Sequence, residues 1–337
     1  MDNITKLISC KNLRRFGIEI ELNAFDQRNR PLGYEFGNLP EGVHYIANLV
    51  HKTVKDKVYI QKWQNNHNND CWILKPDSSC GIEVCTPVLK GMDGIRKVCS
   101  VVNSFSKDKK ITADSRCSFH VHVDVNDLSP QEIATILIWW VKCEYMFMDL
   151  VPLKRKRNRY CQLLSFSPIF EDCGNSFVST TNLLNRFGEH KYFTLNTYHM
   201  INKKRNTIEF RIMDESSCLN YFDAKNYILL LLHFVKRCLQ VGMPKTYESS
   251  NPLSGYCWLN FDDFINFLQL DNEENLSNGM KEMKIWLYIR FQQNIVSNEK
   301  GIFNSNCKVN TINNLKKYEI KKHCFFNCDF FQDNFAL

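Results

Sequence analysis

Residues 13–22, Leu13-Arg14-Arg15-Phe16-Gly17-Ile18-Glu19-Ile20-Glu21-Leu22, alternate strictly, with Phe16, Ile18, Ile20 and Leu22 on one side and Glu19 and Glu21 among those opposite. A period of two marks a strand with one buried face. The pattern returns in residues 118–125 (SFHVHVDV) and 206–213 (NTIEFRIM). On the faces away from the core these strands carry Glu19 and Glu21, then His120, His122 and Asp124, then Glu209 and Arg211. Alternate residues project to one side at about 6.5–7 Å spacing, so three such strands in one sheet build one surface of carboxylates and imidazoles. Oxygen donors with a few imidazoles and no thiolates suit Mg2+ or Mn2+. Crowded carboxylates repel one another, and such a face requires cations or costs stability.

Each piece also has a plainer reading. An ExE on an alternating strand is commonly a solvated sheet face, and an ExR is often a cross-strand ion-pair ladder. Two histidines on one strand face are less common as filler. The combination singles out the set, together with Asp77, Ser78 and Glu83 nearby and a basic run at 154–159 (KRKRNR). That run reads as a solvated loop, a nucleic-acid contact or a set of arginines that hold phosphates bidentately.

Between the strands, residues 24–70 form a surface excursion: a Pro/Gly-rich loop, a helix around 43–54 and a polar run at 64–70. Residues 72–75 and 81–87 are short strands flanking a turn at 76–79. A helix follows near 93–105. Ser129-Pro130-Gln131-Glu132 opens an apolar helix through residue 150, with Ser129 as N-cap and Pro130 in the first helical position. Residues 221–240 are apolar nearly all round and predict a buried helix. The pattern divides the chain into a first region, 1–244, and a C-terminal region, 245–337, with one helix near 279–296 and an aromatic tail. Strands and helices interspersed without βαβ spacing predict an α+β fold with an antiparallel or mixed sheet.

Composition fits this frame. The 337 residues are 44% apolar and 23% charged, which excludes disordered and collagen-like chains. Lys+Arg exceed Asp+Glu by 43 to 36, a net charge of +7, suited to anionic ligands such as nucleotides and well short of a histone-like protein. Fifteen scattered cysteines without a CxxC pair read as reduced thiols in a cytoplasmic protein. The N-terminus lacks a signal-peptide core, and residues 133–150 are too short and too charged to span a bilayer.

Six blocks in order, FGIEIEL, DSSCGIEVCTPVL, CSFHVHVD, RKRNRYC, KYFTLN and NTIEFR, resemble the amidoligase family over about residues 14–240. The resemblance implies an ATP-dependent carboxylate–amine ligase. Its active site would lie on a curved, mostly antiparallel sheet of glutamine-synthetase-like type with flanking helices, where carboxylates hold Mg2+ (or Mn2+) against ATP phosphates. It implies Glu19, Glu21, Glu83, His120 and Glu209 as metal ligands. It places His120, His122, Arg157, Arg159 and Lys191 at the nucleotide; Tyr160 follows the arginines as in the family pattern, and Asn196 falls with Lys191 in the block before the last strand. Glu209 and Arg211 would serve the reaction itself, through an acyl phosphate, and Asp77 is the candidate base. The chain departs from the family pattern at Ser118, where glycine is usual, and at Asp214-Glu215-Ser216, where Asn-Gly-Thr is common. The substrates are a carboxylate and an amine: amino acid, peptide, protein side chain or modified nucleotide. Two other classes compete. A metal-dependent hydrolase would use the HxH strand without ATP. A nucleic-acid binder would use residues 154–159 and Lys203-Lys204-Arg205, which the modest charge and acidic strand faces disfavour.

Overall fold

The computed structural model describes residues 13–23, 41–61, 70–166, 191–202, 205–243 and 259–296. The alternating stretches become strands: β1 (Arg15–Asn23), β3 (Trp72–Asp77), β4 (Gly81–Cys85), β6 (Phe119–Asp124) and β8 (Thr207–Met213), joined by the short β2 (Val58–Ile60), β5 (Leu89–Lys90) and β7 (Leu195–Asn196). Among the described residues these eight form one open sheet in the order β2-β3-β4-β1-β6-β8-β7, with β5 paired to the start of β1. Within this sheet β2 and β3 run parallel and the other strand pairings are antiparallel. A mixed α/β architecture with a mostly antiparallel sheet thus emerges, as the alternation predicts.

Apolar side chains set the layers. Phe16, Ile18, Ile20 and Leu22 of β1, Ile82 and Val84 of β4, Val121 and Val123 of β6, and Ile208 and Phe210 of β8 are buried. Each fully buried side chain of this size contributes about 1.5–3 kcal/mol. The principal helices are α1 (Glu41–Val54), α2 (Gly91–Lys107), α3 (Pro130–Met148), the single turns α4 (Leu153–Lys156), α5 (Tyr198–Ile201) and α6 (Ser216–Leu219), then α7 (Tyr221–Val241), α8 (Phe261–Phe267) and α9 (Asn278–Val296). In α2, Ile95, Val98, Val102 and Phe105 recur on one buried stripe. α3 opens on the capping box read from its sequence: Glu132 N–H donates to Ser129 Oγ, and Ser129 N–H donates to the Glu132 carboxylate at 2.8 Å. α7 begins at Asn220, whose side chain accepts from the N–H groups of Phe222 and Asp223, and it is buried on most sides.

Two local features exceed the sequence reading. β3 continues through Pro76 to Asp77; β2 pairs only residues 72–74, so no neighbour on that side demands the N–H that Pro76 lacks. The turn then closes on Gly81 at φ +118°, a conformation that favours glycine. Residues 259–296 pack back on the earlier helices. His233 Nε2 donates to Leu268 O at 2.7 Å, Arg237 Nε to Phe267 O at 2.8 Å and Arg290 Nε to Leu150 O at 2.9 Å. The polar run 64–69 and the aromatic tail lie outside the described residues, and no described helix is long and apolar enough to cross a membrane.

Candidate active site

The sheet face away from the buried apolar side chains carries the polar set. Register brings it together in rows: Lys75 pairs with Glu83 and Glu83 with Glu21; Cys85 with Glu19 and Glu19 with His120; His122 with Glu209 and Glu209 with Asn196. A bulge between β6 and β8, where Phe119 pairs with Met213 but Val121 with Phe210, leaves Arg211 and Ile212 across from His120. Bulges of this kind re-aim side chains, and here Arg211 Nη1 meets Glu209 Oε1.

Glu21, Glu83, His120, His122 and Glu209 are all buried. Glu21, Glu83, His120 and Glu209 line a cavity of about 640 Å3, which shares Glu19 and Arg205 with a neighbouring cavity of about 560 Å3 lined by His122. Glu209 accepts from Asn196 Nδ2 at 2.6 Å. Arg205 Nη1 donates to Glu19 Oε1 at 3.0 Å, and Lys75 Nζ lies 2.8 Å from Glu83 Oε1. Ser118 Oγ donates to Glu21 Oε2 at 2.6 Å and lies 2.7 Å from His120 Nε2. With that hydroxyl proton on Glu21, the network assigns the Nε2–H tautomer to His120. Nδ1 then turns its lone pair toward Glu19 Oε2 and Glu209 Oε1, each 3.4 Å away. Ser118 therefore wires one site carboxylate to one site imidazole.

Charge is unevenly balanced. Burial works against ionised Glu209, but Arg211 and then His122 outweigh it and hold its pKa at about 2. Burial opposes Glu19 in the same way and is outweighed by His122 first, then by the His120 hydrogen bond and Arg205, so it sits well below the usual range. Glu21 goes the other way: burial, with Glu83 and Asp77 nearby, pushes it up to about 8 despite the Ser118 bond. Glu83 is raised by burial and by Glu19. His120 is lowered to about 4 by burial and Arg211, which keeps its imidazole neutral at pH 7.

These donors fit a divalent cation. Ligand atoms of Glu19, His122 and Glu209 lie within 4.8 Å of one another, as do those of Glu19, Glu83 and Cys85. Buried His122 Nε2 stands 3.1 Å from Glu19 Oε1 yet makes no hydrogen bond. An orphaned buried nitrogen beside a carboxylate is what a cation between them would satisfy.

Of the residues read from sequence, Glu19, Glu21, Glu83, His120, His122, Glu209 and Arg211 converge. Asp77 and Lys191 line the same cavity; Asp77 Oδ1 accepts from the N–H groups of Ser79 at 2.7 Å and Cys80 at 3.3 Å, capping the turn. Arg157 and Arg159 are exposed and outside the cavity wall, which Arg155, Asn158 and Tyr160 line instead; Arg159 lies over the Tyr160 ring. The spacing explains this. α4 buries Arg155, whose Nε and Nη2 donate to the carbonyls of Ile212 and Arg211, so the basic run is partly a brace behind β8. Asp124 pairs with Arg15 at 2.7 Å, apart from the carboxylate rows. The sequence reading missed Lys75, Cys85 and Arg205. Cys85 was accessible to it, two residues beyond Glu83 on the same strand face, and it corrects the expectation of a site without sulfur.

A family model described as "Putative amidoligase enzyme" matches residues 12–235. No curated protein matches the chain. Among solved structures, a bifunctional glutathione synthetase from Pasteurella multocida is similar over 90% of this chain and 51% of its own, at 10% identity and a TM-score of 0.43. The complex of GmaS with ADP is similar over 89% of this chain and 73% of its own, at 11% identity and a TM-score of 0.40. The chain thus spans about half the length of that glutathione synthetase.

Proposed function

The chain belongs to the amidoligase family, and we propose that it is an ATP- and Mg2+-dependent carboxylate–amine ligase working on a glutamine-synthetase-like sheet. The observation that supports this most is the pair of cation-capable donor sets that share Glu19, with Arg211 beside them. Glu19, Glu21, Glu83, His120 and Glu209 would hold Mg2+, which when bound neutralises phosphate charge.

The chemistry needs activation, because a carboxylate and an amine do not condense in water. A substrate carboxylate oxygen attacks the γ-phosphorus of ATP, the bond to the β-bridging oxygen breaks, and ADP departs from an acyl phosphate. The amine nitrogen then attacks the acyl carbon, phosphate leaves, and the nitrogen gives up a proton. Arg211, fixed by Glu209, offsets the charge that develops on the phosphoryl group. His122, on the smaller cavity, and Lys191, on the larger one, would contact nucleotide phosphates, and Arg157 and Arg159 alternate in sequence with Asn158 and Tyr160 of the larger cavity's wall. Asp77 has Oδ1 committed to the turn and Oδ2 left to accept the amine's proton, a weak but fixed acceptor.

Incubation with MgATP, pooled amino acids and peptides, and hydroxylamine tests the reading. Hydroxamate and ADP should form together, only with the cation, and Glu209→Ala should abolish both. No nucleotide turnover with any carboxylate, alongside Zn2+-dependent hydrolysis without ATP, would transfer the assignment to a hydrolase using His120 and His122.

A further inference from the structure

Cys85 is the residue of these rows that the nucleotide chemistry leaves without a role. It ends β4 directly across from Glu19, and its thiol donates to Glu83 Oε1 at 2.9 Å. Donor atoms of Glu19, Glu83 and Cys85 all fall within 4.8 Å, and Cys85 lines the cavity that also holds Glu19 and His122. A second feature points to a cation here independently. His122, 5% exposed, aims Nε2 without a hydrogen-bond partner at Glu19 Oε1, 3.1 Å away, and Glu19 is common to both donor sets.

We propose that Cys85 makes one cation position of this centre thiophilic: Glu19, Glu83 and Cys85 bind Zn2+ in preference to Mg2+, and Zn2+ held there silences the enzyme. Sulfur selects soft and borderline metals, whereas Mg2+ demands oxygen donors in near-octahedral array. As the metal–sulfur bond forms, the thiol gives its proton to solvent, and the cation displaces Lys75 from Glu83. Zn2+ at this position cannot keep the waters and phosphate contacts that phosphoryl transfer needs from Mg2+. The silencing rests on the ligase reading; the binding does not.

The test uses the full chain, freed of metal, without nucleotide. Cd2+ serves as the spectroscopic probe for Zn2+, through its thiolate charge-transfer band, and Mn2+ resonance reports the hard-cation sites. In the native protein Cd2+ should give a band that Cys85→Ser lacks, and Zn2+ should release Mn2+ at a concentration at least about tenfold lower than in Cys85→Ser, the scale on which even outer-shell changes move metal affinity. Cys85→Asp, which restores a hard donor, should keep Mn2+ binding without the band and serves if the serine variant fails to fold. Equal Cd2+ bands and equal Zn2+ competition in the native and variant proteins overturn the proposal, whatever the outcome of the hydroxamate assay. If that assay fails while the Cys85-dependent band is present, the ligase reading falls and the thiophilic site stands.

Discussion

Glu21 and Glu83 are register partners across the β1–β4 ladder, two carboxylates opposed on a face where each is only 7% exposed. Like charges in that arrangement destabilise a sheet. The protein answers with Lys75 at Glu83 and leaves Glu21 to hold its proton up to about pH 8, against an ordinary 4.5. The unfolded chain therefore loses this proton first, and folding stability falls as pH rises from about 4.5 to about 8. His120 and His233, both lowered to about 4, contribute the opposite slope only below their ordinary 6.5. From pH 6.5 to 8 the metal-free protein should lose about 2 kcal/mol by denaturant titration, at about 1.4 kcal/mol per pH unit. Glu21→Gln should flatten that loss, and saturating Mg2+ should flatten it too. A native slope unchanged by the substitution would refute the assignment.

Glu209 joins three strands: it pairs with His122 in register, accepts from Asn196 and holds Arg211. Glu209→Gln keeps a carbonyl for Asn196 but removes the charge. Its melting temperature without ligands should drop modestly, because half-buried Arg211 loses its partner. The stabilisation by MgATP, about 2.7 kcal/mol at one hundred times Kd for the native protein, should disappear. Equal stabilisation of native and variant protein would place the nucleotide elsewhere.

Much of this was legible in the sequence because a strand's period is two. Glu19, Glu21, His120, His122 and Glu209 all follow from alternation, and the helices from their caps and apolar runs. What alternation cannot reveal is partnership between strands. Lys75 reads as one residue of a short apolar strand until the β3–β4 register sets it against Glu83, and Arg205 lies in a loop until it meets Glu19. The β6–β8 bulge, which leaves Arg211 and Ile212 across from His120, has no sequence signature of its own. The basic run divides for a related reason. Its helical turn buries Arg155 under β8 and leaves Arg157 and Arg159 outside.

Ser118 links Glu21 to His120 through a single hydroxyl, at 2.6 and 2.7 Å. Ser118→Ala removes both bonds without adding bulk. His120 is then free to change tautomer, so Mn2+ affinity should fall by about tenfold, within the range for outer-shell partners. The melting temperature of the metal-free protein should move by only a few degrees. Unaltered Mn2+ affinity would mean that the hydroxyl has no part in orienting the imidazole.

Lys75 competes with any cation for Glu83. Lys75→Met leaves Glu83, Glu19 and Glu21 facing one another with one positive charge fewer, which should weaken the metal-free fold and tighten Mn2+ binding together. Calorimetric titration measures the second effect and denaturant titration the first. Weaker Mn2+ binding in the variant would show instead that Lys75 positions Glu83 for the metal.

The segment Asp214-Glu215-Ser216, directly after β8, has its counterpart in α9. Arg290, 8% exposed, donates from Nη2 to Asp214 at 3.2 Å and from Nη1 to Ser216 Oγ at 3.2 Å, lies 3.5 Å from Asp223 and holds Leu150 O through Nε. The segment after β8 is thus committed to anchoring the C-terminal helix. Arg290→Met strands Asp214 and Asp223 in the interior, which costs about 3–5 kcal/mol for a buried pair broken on one side. The double variant Arg290→Met with Asp214→Asn should recover part of that loss, since the amide leaves no charge unpaired. MgATP binding should weaken only as far as the fold does, because Asp214 is absent from the lining of either site cavity. An Arg290→Met protein of native stability would show that α9 can be released from the catalytic region without cost, and that the Asp214 segment answers to the substrate instead.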